Sequence, residues 1–178
     1  MDKYLQTAEK VDLTGQNIID IVGGDISIII YSDLQDINNI DNLFEKSNCV
    51  AILYETRKDF GHWTALIKHN NNTIEFFDPY GLQPDAELKY ATYNVRKTPN
   101  GLLEPHLSCL LNSSNYNLIY NKIKLQRWLP DVNTCGRHIA LRIKFKHMPL
   151  QTYTRLLTHN RCYDADLWAT ALTIAYSI

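Results

Sequence analysis

The sequence predicts a single α+β domain in which a mixed β-sheet packs against helices. Three observations carry the prediction. Residues 61–81, GHWTALIKHNNNTIEFFDPYG, set two apolar-rich segments on either side of three successive asparagines. Asn tolerates left-handed backbone angles and bonds its own main chain, so the stretch reads as a hairpin. Apolar runs at 26–31 and 49–54, and an alternating one at 117–125, supply further strands. The C-terminal part has helical periodicity at 150–157 and again at 165–176, the latter capped by Asp164.

The remaining elements follow in chain order. Asp12 or Thr14 caps a short helix over 16–22, which Gly23-Gly24 stops. Residues 26–31 form a buried strand. Over 33–44, Ile37, Ile40 and Leu43 have helical spacing behind a Ser32 or Asp33 cap. Cys49 opens the apolar strand 49–54 as a packed core thiol. Pro79 and Gly81 end the second hairpin strand, since Pro cannot extend a ladder and Gly permits a sharp bend. Residues 86–93 suit a helix or a strand, 98–101 a turn, and 106–111 a short helix. Two readings compete after Cys135. Alternation of Ile139, Leu141, Ile143 and Phe145 with basic residues favours a strand, whereas a Cys135, Ile139, Ile143 stripe fits a helix. No repeat, low-complexity tract or linker divides residues 1–178.

Composition narrows the function classes. The 178 residues are 45% hydrophobic and 21% charged, enough for one sizeable core. A formal net charge of −1 provides no global basic field for nucleic acid. No stretch approaches a transmembrane helix, and the N-terminus lacks the apolar run of a signal peptide. Four scattered cysteines fit reduced thiols in an intracellular setting better than a disulfide scaffold.

A candidate site emerges from the hairpin register. With the turn centred on Asn70, facing residues sum to 140 and His62 lies opposite Asp78, within hydrogen-bonding reach. His69, seven positions on, points to the other face. Cys135 at a helix N-terminus would have its thiol pKa lowered by the free N–H groups there, and the small Gly136 lets a substrate approach. The order His62, Asp78, Cys135 excludes a papain-like arrangement, in which the nucleophile precedes the His. Plainer readings stand beside this one. His62 and Asp78 can belong to an ordinary hairpin, Trp63 to the core, and His138 to packing or solvent rather than catalysis. Arg137, Arg142, Lys144 and Lys146 read as a solvated basic face. Cys109 and Cys162 read as semi-buried thiols. The pairs His106/Cys109, Cys135/His138 and His159/Cys162 could build a zinc site if two converged.

With GHW, FFDPYG and TCG in place, the chain resembles the adenovirus-protease and SUMO-protease superfamily of cysteine peptidases (adenain-like, Ulp-like). It is nearest in wording to members encoded by viruses, virophages and large DNA transposons. The resemblance spans about residues 49 to 176. It implies the adenain/Ulp-like α+β fold, a mixed central β-sheet packed against a buried helix that begins at Cys135, and a triad of His62, Asp78 and Cys135. Gln126 is implied as an oxyanion donor, although it lies nine positions before the Cys, about two more than the family pattern, so Asn133 is the alternative. Trp63 and Gly136 are implied to line the substrate cleft. No metal or organic cofactor is required. The implied function is an endopeptidase that matures capsid or other virion precursors at Gly- or Ala-containing sites. It would act in the host cytoplasm or virus factory, or packaged in the virion. An activating peptide or DNA, self-cleavage after Gly24, a deconjugating enzyme for ubiquitin-like modifiers, and a non-catalytic interaction domain remain open.

Overall fold

Seven consecutive buried residues at the start of strand β2 (Cys49–Arg57) mark the centre of the molecule. The computed structural model describes residues 2–70, 72–90, 95, 97, 103–159 and 163–176. The turn expected at 98–101, the end of 86–93 and Cys162 lie outside these residues. Before β2 come helices α1 (Asp2–Ala8) and α2 (Gly15–Val22) and strand β1 (Ser27–Ile30). Strands β3 (Phe60–His69) and β4 (Thr73–Phe77) follow, then α3 (His106–Asn112) and β5 (Asn117–Tyr120). The chain closes with α4 (Cys135–Lys144), α5 (Leu150–Thr158) and α6 (Ala165–Tyr176). The five strands form one sheet in sequence order. β1 and β2 are parallel, as are β4 and β5, and β3 is antiparallel to both its neighbours.

Strand alternation divides the core in two. Ala51, Leu53, Trp63, Ala65 and Ile67 pack against α2, α4, α5 and α6. Val50, Ile52, Tyr54, Leu66, Ile74 and Phe76 pack against α3 and two 3-10 segments, Tyr31–Asp36 and Ile40–Phe44. Burial on both faces explains why β2 reads as a continuous apolar run rather than an alternating one. Each large aliphatic side chain so buried contributes about 1.5–3 kcal/mol. Thr14 caps α2 as expected, in a capping box with Asn17, and Gly23 ends that helix at φ +75. Among the described residues no helix is long and apolar enough to cross a membrane.

Several sequence expectations are corrected. Residues 33–44 are not one helix: Ile37 and Asn39 are extended, and the Asn39 side chain accepts from the Asp41 N–H, a local bond that competes with helix formation. β1 is half-buried at the sheet edge, not buried. β5 spans four residues rather than nine, because Asn121 turns its amide onto the Asp78 backbone. The β3–β4 pairs, such as Ala65 with Phe77 and His69 with Thr73, sum to 142 rather than 140. Residues 135–144 are helical, so the alternation from Ile139 misleads. All residues from Cys135 to Ile143 are buried, and a helix covered on every side loses its amphipathic period. The basic run is accordingly no solvated face. Arg142 is fully buried against Glu75, Arg137 bonds Thr173 and the Ala8 carbonyl, and Lys144 Nζ donates to Ile21 O.

Candidate active site

Three structural ends meet at the site: the entry to β3, the exit from β4 and the first turn of α4. Gly61 allows β3 to enter, since a Cβ there would lie 1.9 Å from the Tyr54 carbonyl oxygen, next to the irregularity between Glu55 and Arg57. His62 follows, 9% exposed. Asp78, fully buried, follows the last residue of β4. The two are diagonal rather than directly opposed, yet the same side of the ladder and the reach of an imidazole suffice. His62 Nε2 lies 2.9 Å from Asp78 Oδ1.

The segment FFDPYG holds the carboxylate in place. Asp78 Oδ1 also accepts from the Tyr80 backbone N–H at 2.8 Å, and the Gly81 N–H closes the turn on Asp78 O at 2.8 Å, with Gly81 at φ +73. Asn121, the residue after β5, clamps the Asp78 peptide: its Nδ2 donates to Asp78 O at 2.7 Å and its Oδ1 accepts from Asp78 N at 3.0 Å. The Tyr80 ring stacks on the His62 imidazole, centroids 4.6 Å apart.

Nε2 is committed to Asp78, and the Cys135 thiol is the second side chain within hydrogen-bonding reach of the ring. Burial works against a charged imidazole. Hydrogen bonding to Asp78 and to the Cys135 sulfur, reinforced by their negative charge, overcomes this and pushes the His62 pKa up to about 10. Cys135 itself is the first residue of α4 and is 7% exposed. An imidazole held in one orientation by a carboxylate, with a thiol beside it at a helix N-terminus, can take a proton from sulfur and return it to a leaving group.

Glu87 adds a second carboxyl. It is buried, and its donor atom and those of His62 and Asp78 lie within 4.8 Å of one another. Burial raises the Glu87 pKa, partly offset by the His62 charge. Among the described residues Glu87 Oε1 and Asp78 Oδ2 have no hydrogen-bond partner. One imidazole and two carboxylates could hold a divalent cation. The His/Cys pairs singled out in the sequence do not gather into such a group among the described residues. His138 turns from Cys135 to Asp166, Nε2 to Oδ1 at 3.0 Å, and His106 lies 3.5 Å from Glu104.

The other sequence-predicted residues are placed as follows. Gln126 is buried, and its backbone N–H shares the Pro79 carbonyl with that of Leu125, at 2.9 Å each, which ties its loop to the Asp78 turn. Its Nε2 donates to Val132 O at 2.9 Å. Asn133 is bound to the end of α1, its Nδ2 donating to Lys10 O at 2.8 Å and its N–H to Glu9 O at 2.8 Å. Trp63 is a core residue whose Nε1 donates to Leu13 O at 2.9 Å. A Cβ on Gly136 would come 2.9 Å from Leu13 Cβ and 3.4 Å from Trp63 Cδ1, so close packing accounts for that glycine. Cys49 is buried in the core and Cys109 is exposed. Tyr80, Glu87, Asn121 and Asp166 escaped the sequence reading. Of these only Tyr80 carried a signal, as part of the DPYG turn.

No family model matches the sequence. A protein of Sputnik virophage, "Uncharacterized protein V9", is 35% identical over 153 residues, covering 86% of this chain and 87% of that one. Among solved structures, the ASFV pS273R protease superposes with a TM-score of 0.50 at 14% identity, over 94% of this chain and 68% of its own. The SUMO protease Ulp1 gives a TM-score of 0.40 at 13% identity, over 99% and 76%. The fold, a five-stranded mixed sheet with flanking helices, is shared with the ASFV pS273R protease.

Proposed function

The chain belongs to one family with the V9 protein of Sputnik virophage, and from that footing, together with its cysteine-protease fold, we propose that it is a cysteine endopeptidase that matures virion precursors. The observation that carries the proposal is the His62 ring, bonded to Asp78 through Nε2 with the Cys135 sulfur as its other neighbour. In the proposed reaction His62 takes the Cys135 proton, and the thiolate attacks the carbonyl carbon of a peptide. Asp78 orients and stabilises the imidazolium. The Cys135 backbone N–H and Gln126 Nε2 stabilise the oxyanion. His62 then protonates the leaving amine, and water hydrolyses the thioester to free the carboxyl product and the thiol. No step in this sequence calls on a metal or an organic cofactor.

Virion precursors cut at Gly- or Ala-containing sites are the proposed substrates. The virophage relative supports the viral setting, and a buried nucleophile favours small residues beside the scissile bond. The test offers purified protein its co-encoded capsid precursors in parallel with SUMO and ubiquitin conjugates. Cleavage of the capsid precursors, abolished by Cys135→Ala, is the expected result. Rapid processing of the conjugates with the precursors uncut would reverse the substrate assignment, and inertness toward both would favour an interaction domain.

A further inference from the structure

The first turn of α4 has an unusual N-terminus. Thr134 occupies its cap position, where a Thr side chain ordinarily accepts a backbone N–H from the helix. Here it makes no such bond. Its hydroxyl donates instead to Asp166 Oδ1, a carboxylate oxygen contributed by α6 from 32 residues away. Asp166 is fully buried and saturated. Oδ1 also accepts from His138 Nε2 at 3.0 Å, and Oδ2 accepts from the Arg127 backbone N–H at 2.9 Å and from Arg127 Nε at 3.0 Å. Arg127 continues the network to Glu9, Nη2 to Oε2 at 2.6 Å, and to Asp164 at 3.3 Å.

We infer that Asp166 is a positioning residue of the candidate active site: one carboxylate oxygen holds Thr134, the residue before Cys135, and the other holds Arg127, the residue after Gln126, so that nucleophile and oxyanion donor are fixed to one anchor. This rests on the peptidase reading and adds to it a residue that touches no reacting atom. Two consequences follow from one carboxylate. A Thr134 released from Asp166 would loosen the residue that leads Cys135 and its N–H into the first turn of α4. A loop released from Asp166 would lose the bond to the residue immediately after Gln126. The nine-residue separation of Gln126 from Cys135 thus has a physical closure, because both ends of the intervening loop are pinned to the same side chain.

The experiment separates a positioning role from a merely structural one. With a peptidyl aminomethylcoumarin bearing Gly before the scissile amide, Asp166→Ala should lower kcat by about 10²-fold, the order of one lost oxyanion donor, with KM little changed. Iodoacetamide should still alkylate Cys135 at close to the parental rate, since alkylation forms no oxyanion. Thr134→Val, which cuts only the tie before Cys135, should lower kcat by about 3–10-fold, and in the Asp166→Ala background it should add less than about twofold, because that bond is already gone. Where Asp166→Ala does not fold, the same readouts apply to Asp166→Asn, which keeps the volume. Parental kcat in the Asp166 variants, or losses that simply multiply in the double variant, would overturn the inference. If Cys135→Ala cleaves as well as the parent, the peptidase reading itself fails, and that outcome is distinct from the others.

Discussion

Tyr80 lies almost flat on the His62 imidazole, with ring centroids 4.6 Å apart and planes 16° from parallel. Its backbone N–H bonds the same Asp78 oxygen that His62 Nε2 reaches. One residue therefore restrains the imidazole from its face and the carboxylate from its edge. Tyr80→Phe keeps both restraints and should leave kcat/KM within about twofold. Tyr80→Ala removes the ring and should cost about 3–10-fold, the order of one aromatic pair. Equal loss in both variants would mean that the hydroxyl, not the stacked ring, matters.

Cys135 is buried and Cys109 is exposed, so simple accessibility predicts that Cys109 reacts first with iodoacetamide. The site geometry predicts the reverse. His62 beside Cys135 is placed to accept its proton, and the thiolate is the reactive species. At neutral pH, Cys135 should be alkylated before Cys49 and Cys109, as read by peptide mass mapping at partial modification. The order should invert in His62→Ala. Modification of Cys109 first in the parent protein would remove Cys135 from the nucleophile role.

The titration of His62 has a worked sign. Its folded pKa is raised from 6.5 to about 10, so the folded state binds the proton more tightly than the unfolded chain. The resulting stability is fully present below about pH 6.5 and is lost as pH rises through about 10. Cys135→Ala removes one of the groups that hold the proton, and should lower the His62 pKa, measured by NMR of the imidazole C–H signals. Glu87→Gln should move it in the same direction, because the Glu87 and His62 charges interact. A His62 titration unchanged by Cys135→Ala would show that sulfur and ring are not neighbours in solution.

Local chemistry made part of this molecule legible. Three asparagines and the DPYG turn mark the hairpin, because turns are written in adjacent residues, whereas the start of α4 at Cys135 was legible through the family resemblance and not through the local period. What depends on tertiary contact was hidden. The hairpin register differs by two in its sum because β3 runs on to His69 before the loop. Arg137 and Arg142 looked like part of a solvated face, since the Thr173 and Glu75 that satisfy them lie 36 and 67 residues away. Asp166 gave no sign in the sequence beyond a charge at a helix start.

Arg142 and Glu75 make a bidentate ion pair in the interior, Nε to Oε1 at 2.6 Å and Nη2 to Oε2 at 2.8 Å. The remaining guanidinium donors reach Phe145 O and Met148 O. Removing one partner leaves a buried charge uncompensated, so Glu75→Ala should destabilise the fold by about 3–5 kcal/mol in urea unfolding. The double variant Glu75→Leu/Arg142→Met should lose less than the single one, because neither charge is then stranded. A loss below about 1 kcal/mol for Glu75→Ala would place the pair among solvent-screened surface contacts.

Gln126 is buried with its Nε2 bonded to Val132 O, and its Oε1 has no partner among the described residues. An amide nitrogen has two hydrogens, so the bond to Val132 leaves one available for an oxyanion. The backbone anchor on Pro79 holds this side chain's loop to the turn that carries Asp78. Asn133 offers the competing amide, but its Nδ2 is engaged with Lys10 O at the end of α1. Gln126→Ala should therefore lower kcat by about 10²–10³-fold on a Gly-containing peptide, while iodoacetamide still reacts with Cys135. Asn133→Ala should leave kcat within about tenfold of the parent, since it removes a tether rather than a donor. Near-parental turnover in Gln126→Ala together with collapse in Asn133→Ala would transfer the oxyanion role to Asn133.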